Sequence, residues 1–466
     1  MKAVRVALYV CWAVVLLTCQ AFAAPGDLVW SYQTGYNVYS SPAVSGGYVY
    51  VGSEDYNVYC LDAATGTAVW SYQTDHYVES SPAAVGGYVY VGSWDGAVYC
   101  LDAATGAHVW SYQTGHIVMS SPAVSGGYVY VGSQNSNVCC LDAATGALVW
   151  SYQTGGPIYY SSPAVSGGHV YVGASDGEVY CLDAATGSLV WSYQTENWIE
   201  ASPAAVGGYV YVGGGDRKVY CLDAATGSLV WSYETDGEVS SSPAVSSSYV
   251  YMGSHDNKVY CLDAATGALV WSYATGNHVC SSPAVSGGYV YVGSDDNKVY
   301  CLDAATGSFV WSFQTVDDFS SSPAVSGGYV YVGSEDEKVY CLEAGADDPG
   351  EWMMFRHDPQ HTGSTDTPPP WGDRIELRHG WNLIGALGAS DSARELRRCV
   401  IDDGTNLMWW DDAVGAGLLQ PFVHYYGSGP GYYILASSGG DDGSFRPGTG
   451  YWLFTCQPGL ALLVAP

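Results

Sequence analysis

The sequence predicts an all-β protein whose main domain is an eight-bladed β-propeller, and two observations carry this prediction. A unit recurs eight times, marked by V-W-S-Y or V-W-S-F strings whose tryptophans lie 40 residues apart, with a single spacing of 41. Each unit also contains four short runs rich in Val and Tyr, separated by turn residues, and none has helical periodicity. Four short strands repeated at a fixed period are typical of propeller blades.

One complete unit, residues 281–307, shows how the four strands are assigned. It reads SSPAVSGGYVYVGSDDNKVYCLDAATG, in which SPAV is a brief first strand, Gly-Gly a tight turn and YVYVGS a second strand. The residues DDNK form the next turn, KVYCLDA is the third strand, and the L-V-W-S-Y-type run that follows A-A-T-G is the fourth. Each unit therefore supplies one four-stranded sheet.

The two ends of the repeat region are incomplete in complementary ways. The region opens at residues 27–32 (DLVWSY), a fourth strand without the first three, and closes at residues 338–345 (KVYCLEAG), a third strand without its fourth. We expect the N-terminal strand to complete the last blade, which closes the ring and leaves no exposed strand edge. The alternative is a strand around Trp352, although Asp347, Asp348, Pro349 and Gly350 intervene.

The string C-L-D-A-A-T-G-x-x-V-W, complete in seven copies, resembles the tryptophan-docking motif A-x-D-x-x-T-G-x-x-x-W of the PQQ-type (quinoprotein-like) propellers. The resemblance covers residues 27–345 and departs from the family at the first position, where Cys replaces Ala. It implies that one tryptophan of each unit packs between neighbouring blades. These structural positions are Trp30, Trp70, Trp110, Trp150, Trp191, Trp231, Trp271 and Trp311.

The N-terminal residues have the features of an export signal. Lys2 and Arg5 precede an apolar run too short to span a bilayer, and Ala21-Phe22-Ala23 has the small-x-small form of a cleavage site. We expect a signal peptide over residues 1–23, a mature start at Ala24 and a secreted, cell-surface or periplasmic protein without a membrane span. Lipidation at Cys19 is the alternative.

The net charge of the chain bears on which partners it can bind. The formal net charge of −31 repels nucleic acid and anionic lipid, so neither is expected as a partner.

Eight cysteines occupy one repeated motif position, and equivalent positions in different blades lie too far apart for a disulfide. Cys399 and Cys456 are the candidate disulfide pair. We also expect the protein to be a monomer.

Candidate binding residues lie where the copies differ. The V-S-G-G and A-A-T-G turns scarcely vary and should share one rim of the ring, whereas the fourth-to-first-strand connections and the second-to-third-strand turns diverge and should share the other. Aromatic and acidic side chains there could hold a protein, peptide or glycan ligand, or a cation; the alternative is that these loops vary because nothing constrains them. The candidates are Tyr36, Tyr39, His76, Tyr77, Glu79, His116, Tyr159, Tyr160, Trp198, Glu200, Asp317 and Asp318.

The sequence gives little support for catalysis. The PQQ-dependent enzymes of the resembled family carry long insertions that build a cofactor cavity and a calcium site, and this chain's even period leaves no such material. Cys139-Cys140 resembles the adjacent-cysteine disulfide of some of those enzymes, but neighbours in a strand point to opposite faces. We expect no catalytic residues, no metal site, and neither PQQ nor calcium as cofactor.

Beyond the propeller at residues 24–345, we predict a connecting segment with a Pro-rich linker at 346–373 and a small β-rich C-terminal domain at 374–466. That domain is similar to a module at the ends of bacterial secreted proteins. A capping-box pattern predicts one short helix over residues 391–400. The sequence as a whole favours an exported, non-catalytic binding or protein-interaction scaffold. The alternatives are a PQQ-dependent quinoprotein-like oxidoreductase and a periplasmic outer-membrane assembly scaffold.

Overall fold

The computed structural model describes residues 24–345 except residue 247, the isolated positions 355 and 358, and the backbone of ten short strands between residues 374 and 464. Eight four-stranded antiparallel sheets within residues 24–345 form the eight blades of a propeller. The predicted fold class is confirmed for this region.

Seven blades take four consecutive strands each, and the eighth combines both ends of the region. Blades one to four are β2 Ala43–Ser45, β3 Tyr48–Gly52, β4 Asn57–Asp62, β5 Ala68–Gln73; β6 Ala83–Val85, β7 Tyr88–Gly92, β8 Ala97–Asp102, β9 His108–Gln113; β10 Ala123–Ser125, β11 Tyr128–Gly132, β12 Asn137–Asp142, β13 Leu148–Gln153; and β14 Ala164–Ser166, β15 His169–Gly173, β16 Glu178–Asp183, β17 Leu189–Gln194. Blades five to eight are β18 Ala204–Val206, β19 Tyr209–Gly213, β20 Lys218–Asp223, β21 Leu229–Glu234; β22 Ala244–Val245, β23 Tyr249–Ser254, β24 Lys258–Asp263, β25 Leu269–Ala274; β26 Ala284–Ser286, β27 Tyr289–Ser294, β28 Lys298–Asp303, β29 Phe309–Gln314; and β30 Ala324–Ser326, β31 Tyr329–Ser334, β32 Lys338–Glu343 with β1 Leu28–Gln33.

The ring closes through the N-terminal strand, as the sequence predicted. β1 pairs antiparallel with β32, with Trp30 opposite Cys341. The backbone N–H of Gly26 donates to the carbonyl of Glu343 at 2.8 Å, the same bond that Gly66 makes to Asp62 within the first complete motif. The two ends of the region thus assemble an eighth copy of the motif between them.

The divergent loops share an apolar position that packs blade against blade. Val78 is fully buried and lies over Gly52 of the preceding blade, where an added Cβ would approach Val78 Cγ1 to 2.5 Å. Val118 lies on Gly92 and Ile158 on Gly132 in the same way. This position is therefore part of the core and is not available to a ligand.

The repeated motif joins neighbouring blades through its tryptophan. The indole N–H of Trp110 donates to the carbonyl of Ala143 in the next blade at 2.9 Å. Six other motif tryptophans make the equivalent bond to the next blade at 2.9–3.0 Å; they are Trp30, Trp70, Trp150, Trp191, Trp231 and Trp271. The ring of Trp110 covers Gly146, whose φ of +71° places it in the left-handed region. Asp142 accepts hydrogen bonds from the backbone and hydroxyl of Thr145 and fixes the turn. The motif is thus a blade-to-blade clasp in this chain.

The innermost strands are joined by a closed ring of serine hydrogen bonds. The backbone N–H of Ser41 donates to Oγ of Ser81 at 2.9 Å, and the pattern continues around all eight blades until Ser322 N–H reaches Ser41 Oγ at 3.0 Å. Because Pro follows each of these serines, the first strand is short and begins directly after the ring. The serine ring surrounds the central axis.

The C-terminal strands are β33 Arg374–Glu376, β34 Trp381–Ile384, β35 Arg394–Glu395, β36 Cys399–Asp402, β37 Leu407–Trp409, β38 Phe422–Tyr425, β39 Tyr432–Ala436, β40 Ser444–Phe445, β41 Gly450–Phe454 and β42 Ala461–Val464. The segment 391–400, for which the sequence predicts one short helix, contains β35 and part of β36, and its other residues lie outside the described part of the chain. β36 pairs antiparallel with β42. The candidate disulfide Cys399–Cys456 lies outside the described side chains.

Candidate functional site

The constant turns and the divergent turns lie on opposite rims. The backbone N–H of Ala63, in an A-A-T-G turn, donates to the carbonyl of Gly47 in a Gly-Gly turn at 2.9 Å. At the other end of the blade the N–H of Glu54 donates to the carbonyl of Asn37 at 3.0 Å, which joins the two divergent segments. We call these the constant rim and the variable rim.

A central cavity opens among the divergent residues, with a volume of about 470 Å³. Serines of the ring form part of its wall, and side chains of the variable rim form the remainder. Its lining residues are Tyr39, Ser41, Glu54, Glu79, Ser81, Trp94, Met119, Ser121, Tyr160, Glu200, Ser202, Ser240, Ser242, His255, Cys280, Ser282, Ser320, Ser322 and Phe355.

Glu54 and Glu79 form a carboxyl pair in the cavity wall. Burial raises the pKa of both groups, helped by repulsion from Glu335 at Glu54 and from Glu54 at Glu79, whose pKa rises to about 8. A hydrogen bond between the two side chains lowers the pKa of Glu54 and raises that of Glu79. Two carboxyl groups in such contact share one proton, because both cannot ionise cheaply at close range. The indole N–H of Trp94 is buried beside Glu79, where it favours the ionised form.

Further carboxylates extend the negative charge around the mouth. Burial raises the pKa of Glu200 and of Asp295, and burial together with Asp295 and Glu335 raises the pKa of Asp318 to about 6. Glu335 accepts hydrogen bonds from Tyr39 at 2.9 Å and from Ser320 at 2.8 Å. His255 is the one basic side chain among the described residues that line the cavity. The site is therefore complementary to positive charge.

Aromatic rings stand beside these carboxylates. His76 stacks on Trp94 with ring centroids 5.7 Å apart and meets Tyr77 edge-on at 4.7 Å. Tyr56 joins the same cluster through both His76 and Tyr77. Burial and the nearby carboxylates Glu79, Glu200 and Glu54 raise the pKa of Tyr160 at the cavity mouth. Aromatic faces next to carboxylates suit ligands that have both an apolar body and a positive charge.

A cysteine and a histidine meet on the opposite wall. Cys280 Sγ lies 3.4 Å from His255 Nε2 and 3.6 Å from Asp295 Oδ2, and Ser240 Oγ lies 2.8 Å from the same imidazole nitrogen. Burial and Asp295 raise the pKa of Cys280 to about 12, and burial and His278 lower the pKa of His255. Both shifts favour the neutral forms, so the arrangement disfavours the thiolate that nucleophilic catalysis requires.

Four of the candidate residues from the sequence line the cavity, namely Tyr39, Glu79, Tyr160 and Glu200. The others lie on the variable rim outside the cavity lining. They are Tyr36, His76, Tyr77, His116, Tyr159, Trp198, Asp317 and Asp318. The side chain of Trp198 is 38% exposed and lies over Gly215 of the neighbouring turn.

Several lining residues were missed by the sequence analysis. Glu54, Trp94 and His255 each occupy the first position of a divergent second-to-third-strand turn, so their divergence was the available signal. Cys280 was visible as a cysteine outside the repeated position. Phe355 gave no signal, because it lies beyond the repeat and no blade has an equivalent residue with which to compare it.

Groups of metal ligands and membrane-spanning helices are both absent from the described residues. No group of three or more His, Cys, Asp or Glu side chains in this part of the chain has an arrangement suited to a metal ion. The described residues also contain no helix with the length and hydropathy of a membrane span.

Two family models match successive parts of the chain. Residues 13–203 match the β-propeller of beta-alanine-activating enzyme, and residues 195–283 and 255–372 match outer membrane protein assembly factor BamB. No curated protein matched the sequence significantly.

Solved structures agree with the propeller fold. BamB from Moraxella catarrhalis superposes with a TM-score of 0.59 at 22% identity, covering 68% of this chain and 99% of that chain. The computationally designed Ika8 protein gives a TM-score of 0.63 at 21% identity, covering 68% of this chain and 100% of that chain. The quinohemoprotein alcohol dehydrogenase ADHIIG from Pseudomonas putida HK5 gives a TM-score of 0.58 at 17% identity, covering 69% of this chain and 76% of that chain.

The cavity does not fit PQQ, the cofactor that quinoprotein neighbours suggest. PQQ carries three carboxylate groups, and an anionic ligand of this kind is ordinarily held by Arg or Lys. Here Glu54, Glu79 and Glu200 would face it, and neither Arg nor Lys is among the described lining residues. Fold, repeat motif and comparisons nonetheless agree on the architecture: this chain is an eight-bladed β-propeller whose repeats are similar to those of the PQQ-type, quinoprotein-like propellers.

Proposed function

We propose that the protein is an exported, non-catalytic propeller that acts as a binding or interaction scaffold at the cell surface or outside the cell. Its ligand, a protein, peptide or glycan, is held by the variable rim and the central cavity. The constant rim and the clasps between blades serve to hold this surface rigid.

One observation carries the proposal. Eight nearly identical blades differ mainly at one rim, and part of the differing side chains, among them Glu54, Glu79 and Tyr160, line a central cavity with aromatic rings and carboxylates. Unconstrained loops would place random polar residues at the mouth. A concave surface with clustered aromatic groups is instead a usual feature of binding sites.

Outer-membrane assembly is a second candidate function. It is favoured by the match to the BamB family model over residues 195–372 and by the propeller of Moraxella catarrhalis BamB. Both candidate functions require a binding face and no catalytic residue. They differ in the partner, which would be a membrane-assembly component in this second case.

Export is supported by the environment of Ala24. Its backbone nitrogen lies 2.7 Å from Oδ2 of Asp27. Cleavage after Ala23 would convert this nitrogen into an ammonium group and add the attraction of an ion pair to the existing hydrogen bond with the carboxylate. N-terminal sequencing of the secreted protein tests this start point.

The scaffold proposal is tested by glycan and peptide arrays probed with the purified mature protein. The Y160A/W198A variant removes two exposed rings from the variable rim. Its matched control, Y128A/Y209A, removes two exposed rings from the constant rim, at 37% and 39% exposure against 49% and 38%. We expect array binding that Y160A/W198A abolishes and the control retains. Saturable PQQ binding with calcium that supports dye-linked alcohol or sugar oxidation would overturn the proposal in favour of an oxidoreductase.

A further inference from the structure

The central cavity already holds a side chain from outside the propeller. Phe355 lies ten residues beyond the last described propeller residue, Gly345, yet it is 9% exposed and belongs to the cavity lining. None of the eight blades supplies this ring. The cavity is therefore able to accept an aromatic side chain that arrives on a separate stretch of polypeptide.

The charge around Phe355 points to the rest of the ligand. Glu54, Glu79 and Glu200 share the cavity with it. Burial raises the pKa of all three, and a neighbouring carboxylate adds to each shift by repulsion, namely Glu335 at Glu54, Glu54 at Glu79 and Glu238 at Glu200. The described lining contributes no Lys or Arg to offset them. A positive group entering the cavity would relieve this repulsion and gain strength from the low local dielectric.

We infer that the cavity binds a polypeptide segment that presents an aromatic side chain next to a basic residue, with Phe355 as the chain's own occupant of the aromatic position. This rests on the proposed binding function and specifies its ligand class. In this chain's sequence Phe355 is followed by Arg356, which has the same aromatic–basic order. A partner segment must displace Phe355 to bind, so the chain competes with its ligand.

The test uses the full mature chain and a synthetic peptide with the sequence of residues 352–359, WMMFRHDP. F355A should bind this peptide at least ten-fold more tightly than the wild type, because its cavity is no longer occupied. The peptides carrying F355A or R356E should lose at least ten-fold in affinity for the F355A protein. If the F355A protein does not fold, F355L keeps apolar volume without the ring and should show the same order of affinities.

A second pair of variants separates binding from stability. In the F355A background, E54Q/E79Q should weaken peptide binding at least five-fold and raise the melting temperature, because it removes both the attraction for the peptide and the repulsion within the pair. E234Q is the matched control, since Glu234 pairs with Arg217 on the outside of a blade and should change neither quantity appreciably.

Several results would overturn the inference. They are equal peptide affinity of F355A and wild type, undiminished binding of the F355A or R356E peptide, or no measurable binding to the F355A protein. If array ligands still bind the variable rim in that case, only the ligand class is wrong. If array binding is also absent, the scaffold proposal fails with it.

Discussion

The backbone N–H of Gly26 donates to the carbonyl of Glu343 at 2.8 Å, across more than three hundred residues of sequence. This bond places Gly26 under the ring of Trp311, where the motif glycine of every other clasp lies under its tryptophan. The clasp at this seam is nevertheless incomplete, because the buried Nε1 of Trp311 has no hydrogen-bond partner among the described residues. The clasp at the ring closure thus lacks the indole hydrogen bond that the other seven clasps have.

The seam should open first. We expect the backbone amides of β1 that pair with β32 to exchange hydrogen faster than the equivalent amides of β13, which pair with β12 behind a complete Trp110–Ala143 clasp. Hydrogen–deuterium exchange with mass spectrometry measures both segments in one experiment. Slower exchange in β1 than in β13 would contradict this reading of the seam.

The motif glycine should be intolerant of a methyl group for two separate reasons. In G146A the new Cβ would lie 2.6 Å from the ring of Trp110 and at a φ of +71°. G127A, the control, has a φ of +83° but nothing within 4 Å of the new Cβ. We expect a loss of about 1 kcal/mol in the free energy of unfolding for G127A and an additional loss of about 1–3 kcal/mol for G146A. Denaturant unfolding measures both losses. Equal losses for G127A and G146A would show that the ring of Trp110 moves aside from the new methyl group without a cost in stability.

Ala201 marks a blade that lacks a hydrogen bond present in the others. In blade four the N–H of Gly173 donates to Oγ of Ser161 at 2.9 Å, whereas blade five has Ala201 at the equivalent position. A201S should restore this bond and raise the free energy of unfolding by about 0.5–1.5 kcal/mol. S161A, its mirror, should lower it by about 1–3 kcal/mol because a buried N–H loses its acceptor. A destabilising A201S would mean that blade five has adapted to alanine.

Stability should fall as the pH rises through the neutral range. The carboxyl pKa of Glu79 is raised, so the folded protein binds more protons than the unfolded chain between the ordinary glutamate pKa and the raised value. The stabilisation is complete below the unfolded pKa and is lost as the pH passes through the folded one. We expect the melting temperature to decrease from about pH 5 to about pH 8 and the slope to be shallower in E79Q. The aspartates of the motif turns, such as Asp142, have lowered pKa values and act only at more acidic pH.

An unchanged slope in E79Q would contradict this assignment. Asp318, with a pKa raised to about 6, contributes in the same direction and in the same range. The double variant E79Q/D318N should therefore flatten the profile further than E79Q does.

The repeat made most of the fold predictable and only part of the site. Strand number, blade number and closure by residues 27–32 follow from periodicity and turn residues, which are local properties of the chain. The C-terminal helix is predicted from a capping pattern within ten residues, whereas the pairing of β36 with β42 joins residues about sixty positions apart. Long-range pairing of this kind leaves no local signal.

The division into a constant and a variable rim was also visible in the sequence, because the copies act as internal controls for one another. The sequence did not show which variable side chains turn inward. Glu79 and Tyr160 reach the cavity, whereas Tyr36 and His116 remain on the outer rim. That difference depends on the direction of each loop side chain relative to the central axis, and no spacing in the sequence encodes it.

The central claim, that ligands bind at the variable rim, is tested most directly by a hydrogen–deuterium exchange footprint of the ligand with the strongest array signal. The account predicts protection confined to the variable-rim segments, such as residues 35–40, 75–80 and 196–201, with unchanged exchange in the Gly-Gly and A-A-T-G turns. Protection centred on those constant turns, with the variable rim unaffected, would contradict it.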